Sequence, residues 1–439
     1  MILKFRGFQF IESMKELAIN KFHAFVKNKE LFGTFIVTVG ILIGSVFSYL
    51  LQFFMGRMLS IEDFGSFNAL LSLSYLVTVP AGVINTSIVK KVSEILGQRD
   101  FKRLTSLFWK LLLISFVLGL VFFSLIFLFK SIISQNLKVY NVAAVVWFGV
   151  TILLGFVRIV SRAYLQGLLR YKAFSFLNGA GGIIRFVFPA LFVWFGFKLT
   201  GTFIGLAISG LGVVVLAFLL LKKNLTKFEN YRSDGDIKNI VVFSIPVTFM
   251  SMGMMLINNV DMLMVKNFFD PKTSGYYAGV VTLGKILLFG AGTVYIIMFP
   301  RISSLFSKGG DYLSTFYNFL ALQLLLILGG VGVFALFPRL ITLLFFGKRF
   351  SASIEYLPLF SIFIGLYVFA QFMIMFFMAI NKTRISLIFF PVVLLQIVLI
   401  YFFHENLYSV IYVNLFVTVL LCLLLVGYFV NFVKNPQKA

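Results

Sequence analysis

The stretch "INNVDMLMVKNF", residues 257–268, carries an aspartate and two asparagines inside an apolar run long enough to cross a bilayer. A charged side chain at that depth costs about 3 kcal/mol or more, so Asp261 needs either a partner or a ligand. Four cations, Lys110, Arg158, Arg185 and Lys285, fall inside comparable runs. By helix rise, Arg185 sits at the middle of its run, where snorkelling to either interface is hardest. Arg158 lies about 9 Å to the cytoplasmic side of its run's middle, Lys285 about 4 Å to the outer side, and Asp261 about 12 Å outward. Those depths let Asp261 pair with Lys285 if their helices are neighbours, since buried charges generally need partners. One such pair still leaves Arg158 and Arg185 without a counter-charge. A positive surplus in a cavity favours an anionic ligand, such as a phosphate or pyrophosphate headgroup, that accepts several charge-assisted hydrogen bonds. The first six runs hold no central Asp or Glu, as a carrier of cationic drugs would be expected to have.

Other chemistries are poorly supported. "GVVTLGKI" (279–286) follows G-x-x-x-x-G-K, but Ile286 stands where a hydroxyl would hold magnesium, and the motif lies within an apolar run. His23 and His404 are far apart and form no metal spacing. Cys422 is the single cysteine and carries no redox reading. No second acid lies near Asp261, and no loop is long enough for a catalytic domain, so an enzyme is the weaker class. No cofactor is expected, and no nucleic acid.

The elements that position these residues are set by hydrophobicity. Of 439 residues, 60% are hydrophobic and 12% charged, with a mean hydropathy of +1.02. A soluble domain carries about 25% charged residues. Runs of about 20 apolar residues, enough at 1.5 Å rise to span the hydrocarbon, recur about twelve times. Six lie within 31–221 and six within 240–432, separated by a polar connector at 222–239 that begins "KKNLTKFENYRSDGDIK". Lys and Arg on alternating sides number 25 against 9, with four inside the runs, which places both termini and the connector in the cytoplasm. The expectation is an all-α, polytopic protein of the cytoplasmic membrane, with about twelve transmembrane helices in two six-helix lobes around a central cavity. Residues 433–439 form a short cytoplasmic tail.

The halves repeat. "IEDFGSFNALLSL" (61–73) over "PKTSGYYAGVVTL" (271–283) aligns Gly65 with Gly275, and Lys91 meets Arg301 at the same offset. At an offset one residue longer, "RYKAFS" (170–175) meets "NKTRIS" (381–386). Six spans per repeat makes the lobes parallel, with substrate expected between them. Residues 1–30 carry apolar positions such as Met14, Leu17 and Phe25 at helical spacing among lysines, an amphipathic segment on the cytoplasmic surface. Pro80, Pro189, Pro246 and the glycines of "NGAGGIIR" (178–185) could bend helices, while Gly40 with Gly44 and Gly201 with Gly205 read as close packing.

Three segments carry a resemblance: "GRMLSIEDFGSFNALLSL" after the first run, "RAYLQGLLRYKAFS" after the fourth, and "NNVDMLMVKNFFDPKTSGYYAGVVTLGKILLF", followed by "FPRISSLF", across the seventh and eighth. In order and spacing the chain resembles the multidrug/oligosaccharidyl-lipid/polysaccharide (MOP) flippase superfamily, in its polysaccharide-transport, O-antigen flippase-like (Wzx-like) branch. The resemblance implies an alternating-access flippase that moves a polyprenyl-pyrophosphate-linked oligosaccharide across the cytoplasmic membrane for polysaccharide biosynthesis. The headgroup would meet Arg185, Arg158 and Lys285 while the tail stays among membrane lipids. It also implies a coupling ion, sodium or protons, for which Asp261, Asn258, Asn414 and Thr418 would supply oxygens. Glycan-assembly enzymes are the implied protein partners. The alternatives are a multidrug-type exporter on the same fold and, further off, a membrane glycan ligase or polymerase.

Overall fold

The computed structural model describes residues 29–222, 236, 237, 240, 248 and 251–434. The amphipathic segment, most of the connector, Pro246 with the first part of the seventh run, and residues 435–439 lie outside the described residues. Within them every regular element is helical. That is the outcome apolar runs dictate, because a helix satisfies its own backbone polar groups where no water can. In chain order the helices are α1 (Lys29–Met58), α2 (Ile61–Gly97), α3 (Phe101–Leu128), α4 (Lys130–Asn136), α5 (Val142–Gly167), α6 (Tyr171–Trp194) and α7 (Lys198–Leu221). There follow α8 (Val260–Phe268), α9 (Pro271–Ser307), α10 (Tyr312–Leu336), α11 (Pro338–Phe346), α12 (Leu357–Ala379), α13 (Phe389–Phe402) and α14 (Leu407–Lys434).

Several starts are fixed by side chains at the polar turns. Ser60 caps α2 through the Asp63 amide at 3.0 Å, Asp100 caps α3 through Arg103, and Asp270 precedes Pro271 and accepts from Lys272 and Thr273. Each satisfies amides that a helix leaves unpaired at its N-terminus.

Nine described helices are long and apolar enough to cross a membrane, or ten if the bent pair Ile61–Val79 and Ile84–Gly97 counts as one span. Two runs of the sequence fall short of that test. The eleventh is shortened to α13 because residues 383–388 form a 3-10 turn, and the seventh is broken at Asn258 and Asn259 between a helix over 251–257 and α8.

The helices form two lobes. In the first, α1 lies against α6, where a side chain on Gly182 would collide with Gly44 and one on Gly40 would collide with Ser175. Pro189 of α6 fits beside Gly205 of α7 for the same reason. These are the small-residue contacts expected of packed membrane helices.

The lobes meet along α2 and α9. Gly65 and Gly275 touch there: a Cβ on Gly65 would sit 3.0 Å from the Gly275 Cα, and one on Gly275 would run into the Ile61 carbonyl. Beyond this crossing, the two parts of α2 diverge by 41° around Pro80. The far part, with Ile88, Val92 and Ile95, packs into a separate core made with Leu107, Phe108, Tyr164 and Ala217 of its own lobe. The larger core, by contrast, runs continuously from Phe64 and Phe67 of the first lobe to Phe346, Phe350 and Phe360 of the second.

Candidate functional site

Asp261 is buried at the start of α8, immediately after the helix break. The break creates a new helix N-terminus inside the protein, whose dipole favours a carboxylate in the first turn. Asp261 Oδ1 accepts from the Met262 amide at 2.8 Å, while Oδ2 accepts from the Tyr277 hydroxyl at 2.6 Å and from Asn414 Nδ2 at 3.2 Å. Tyr277 belongs to α9 and Asn414 to α14, so three helices of the second lobe converge on one carboxylate. Gln396 of α13 adds a fourth: its Nε2 donates to Asn414 Oδ1 at 2.8 Å and to the Ile257 carbonyl at 3.1 Å, a backbone group left by the break. Gln396 Oε1 is buried with no hydrogen-bond partner among the described residues.

Of the three residues expected beside Asp261, the structure brings one into contact, Asn414, and through its amide nitrogen. Thr418 is buried one turn further along α14, with its hydroxyl given to the Asn414 carbonyl at 2.7 Å. Asn258 makes no side-chain hydrogen bond to any described residue. Tyr277 and Gln396 were missed. Gln396 was detectable as the lone polar residue of "FFPVVLLQIVLIYF"; Tyr277, in "GYY", has no such signal.

Lys285 corrects the expected ion pair. It forms none with Asp261; its ammonium donates instead to Asn259 Oδ1 at 3.1 Å and lies 5.2 Å above the Tyr75 ring of the first lobe. The carboxylate is already satisfied by uncharged donors, and the amide at the helix break presents the nearer oxygen.

Arg158 and Arg185 sit on α5 and α6 of the first lobe, close enough for the charge of Arg185 to act on Arg158. Arg162 joins them. Counting basic residues assigns it to a loop, but α5 continues to Gly167 and carries Arg162 one turn beyond Arg158, 5.7 Å over the Phe174 ring. Among the described residues none of the three arginines has an ion pair or hydrogen bond.

Among the described residues, hydrogen bonds across the lobes lie at the crossing, at the end of the bundle that holds the α1–α2 turn, and between the Tyr49 hydroxyl of α1 and the Lys285 carbonyl of α9. Arg57 donates to the carbonyls of Phe345 at 3.0 Å and Leu344 at 2.5 Å, and Arg349 returns the contact to the carbonyls of Arg57 at 3.2 Å and Leu59 at 3.0 Å. Lys138 reaches the Phe269 carbonyl, Asn267 the Asn136 carbonyl, and Thr282 the Asn68 side chain. At the other end, rich in Lys and Arg, the described residues show no hydrogen bond between lobes. Asp236 of the connector is instead clasped to the first lobe, by both Nε and Nη2 of Arg103 at 2.8 and 2.6 Å and by Lys91 at 3.1 Å. Among the described residues, the hydrogen bonds that join the lobes therefore lie away from the basic end.

Two helical lobes meeting along a seam are a fold that the chain shares with solved transporters of the MOP superfamily. Over 93% of this chain and 100% of the other, the fold superposes with a TM-score of 0.71 and 13% identity on an inward-facing multidrug resistance MATE family transporter of that superfamily. An outward-facing MATE family transporter gives 0.56 at 15% identity, over 93% and 96%. The lipid II flippase MurJ, in an inward closed conformation, gives 0.70 at 14% identity over 91% and 87%. No curated protein sequence matches the chain. Residues 31–306 match the model of the family described as polysaccharide biosynthesis protein, and the chain belongs to that family.

Proposed function

We propose that the protein flips a polyprenyl-pyrophosphate-linked oligosaccharide across the cytoplasmic membrane by alternating access, with the basic end cytoplasmic and the described conformation inward-open. The observation that carries this reading is the set of guanidinium groups on α5 and α6 with no ion pair to a carboxylate among the described residues. Uncompensated arginines at membrane depth are retained where they meet an anion, and a guanidinium fork matches phosphate oxygens in pairs. Arg158 and Arg185 grip the pyrophosphate, the sugars pass along the seam between the lobes, and the lipid tail remains among acyl chains. Moving the headgroup through hydrocarbon unassisted is prohibitive, and the lobes supply substitute polar contacts.

The fold alone is shared with multidrug transporters, so charge is what separates the readings. The first lobe offers a carrier of cations no membrane-embedded acid.

For resetting the cycle, the carboxylate of Asp261 supplies a site for a monovalent cation. Amide oxygens of the same network would complete it: Oε1 of Gln396, which has no hydrogen-bond partner among the described residues, and Oδ1 of Asn414 once that amide turns from giving its nitrogen to Asp261. Such oxygens suit a hard metal ion such as sodium better than a lone proton. Asn258 and Thr418 would join only after local rearrangement. Lys285, which the Asn259 amide holds on the far side of the seam from the arginines, is less suited to the headgroup than they are.

Binding tests the reading. Purified protein in nanodiscs should retain a fluorescent polyprenyl-pyrophosphate glycan, and Arg158→Ala and Arg185→Ala should each weaken retention about tenfold or more, as loss of a charge-assisted contact does. Undiminished retention in both variants would overturn it.

A further inference from the structure

Lys285 touches both lobes. Its ammonium binds the Asn259 side chain at the helix break, two residues ahead of Asp261, and rests over Tyr75 of α2. Its own carbonyl accepts from the Tyr49 hydroxyl of α1 at 3.0 Å. Tyr277, two turns earlier on the same helix, binds Asp261 directly. One helix therefore presents a hydroxyl to the carboxylate and an ammonium to the amide beside it, and the ammonium end lies against the opposite lobe. A buried ammonium requires a negative counter-charge. Asp261 is the acidic group whose field reaches it, from beyond ion-pair distance.

We propose that Lys285 is a resident counter-cation for Asp261, competing electrostatically with the coupling ion and transmitting its arrival to the lobe seam through Tyr75. The proposal rests on the reading of Asp261 as a cation site. Without an ion, the carboxylate's field favours the ammonium in its place at Asn259. With an ion bound, two positive charges share one carboxylate, the hold on Lys285 weakens, and with it the ammonium's contact with Tyr75, while the Tyr49 hydroxyl stays on the Lys285 backbone carbonyl. Lys285 is a positioning residue in this scheme; it need not touch the ion.

Sodium titration of the full-length protein in nanodiscs, read by calorimetry at constant ionic strength, tests it. The wild type should bind sodium and Asp261→Asn should not. Lys285→Met, and Lys285→Gln as a second variant should the first be unstable, should bind sodium about tenfold or more tightly than wild type, because a repelling charge has been removed at short range. Lys285→Arg should stay near wild type. A merely structural lysine predicts the opposite sign, since its loss would loosen the site. Unchanged or weaker sodium affinity in the Met and Gln variants, with Asp261→Asn inactive in binding, would overturn the role of Lys285 and leave the cation site standing. Sodium binding that survives Asp261→Asn, or is missing from the wild type, would instead overturn the site itself and the role of Lys285 with it.

Discussion

Gly65 and Gly275 are in van der Waals contact where α2 crosses α9, and they are also the two residues that the internal repeat superposes. Equivalent positions of two related halves can touch only near the axis that relates them, so the crossing lies close to the pseudo-two-fold axis between the lobes. A methyl group at either position forces the helices apart. Gly275→Ala should be the more disruptive, because its Cβ meets the rigid Ile61 carbonyl, whereas Gly65→Ala meets backbone at 3.0 Å and can be accommodated by a small shift. Expression and thermal stability of the two variants would check the order, and equal behaviour would argue against a tight crossing.

The reciprocal contacts of Arg57 and Arg349 predict a latch. Each guanidinium donates to backbone carbonyls, so a charge swap cannot replace it, and partial exposure keeps each worth about 1 kcal/mol. Arg57→Ala combined with Arg349→Ala should lengthen the distance between spin labels at Met58 and Leu340, both exposed and on opposite lobes. An unchanged distance distribution would show that the phenylalanine cluster of Phe64, Phe346 and Phe350 closes this end by itself.

Tyr277 and Asp261 should be energetically coupled. Removing the hydroxyl in Tyr277→Phe leaves a buried carboxylate short of one donor, a loss of about 1–3 kcal/mol. In an Asp261→Asn background the same change should cost distinctly less, and chemical or thermal unfolding of the four proteins forms the cycle. Strict additivity would contradict the 2.6 Å contact as an energetic one.

A pH dependence follows from the connector. Burial opposes ionisation of Asp236, but the hydrogen bonds from Arg103 and Lys91 outweigh it and hold its carboxyl below the ordinary carboxylate value. With the folded pKa depressed, the clasp stabilises fully above the unfolded value of about 3.9 and is lost as pH falls through the folded one. The protection of the Asp236 and Ile237 amides, taken relative to the intrinsic exchange rate at each pH, should therefore fall on acidification toward pH ~3 in the wild type, and be low at every pH in Asp236→Asn. A wild type indifferent to that drop would remove the clasp.

The helical fold was legible because its cause is one-dimensional: long apolar runs must be helices in a bilayer. Burial of Asp261 and its meeting with Asn414 were legible for a similar reason, since both are polar residues in apolar runs. The partnership of Lys285 was not. Depth along a helix is readable from residue number, but rotation about the helix axis and the break at Asn258 and Asn259 decide which neighbour a side chain meets, and those depend on contacts far apart in sequence. Arg162 was misplaced because a charged residue looks like a loop when the helix simply continues past the apolar run.

Leaflet exchange is the most direct measurement of the central claim, that arginines of the first lobe carry a lipid's pyrophosphate across. Reconstituted wild type should move a fluorescent polyprenyl-pyrophosphate glycan between leaflets, with Arg158→Ala and Arg185→Ala each slowing it about tenfold or more and the double variant abolishing it. Exchange at the wild-type rate in the double variant would contradict the account.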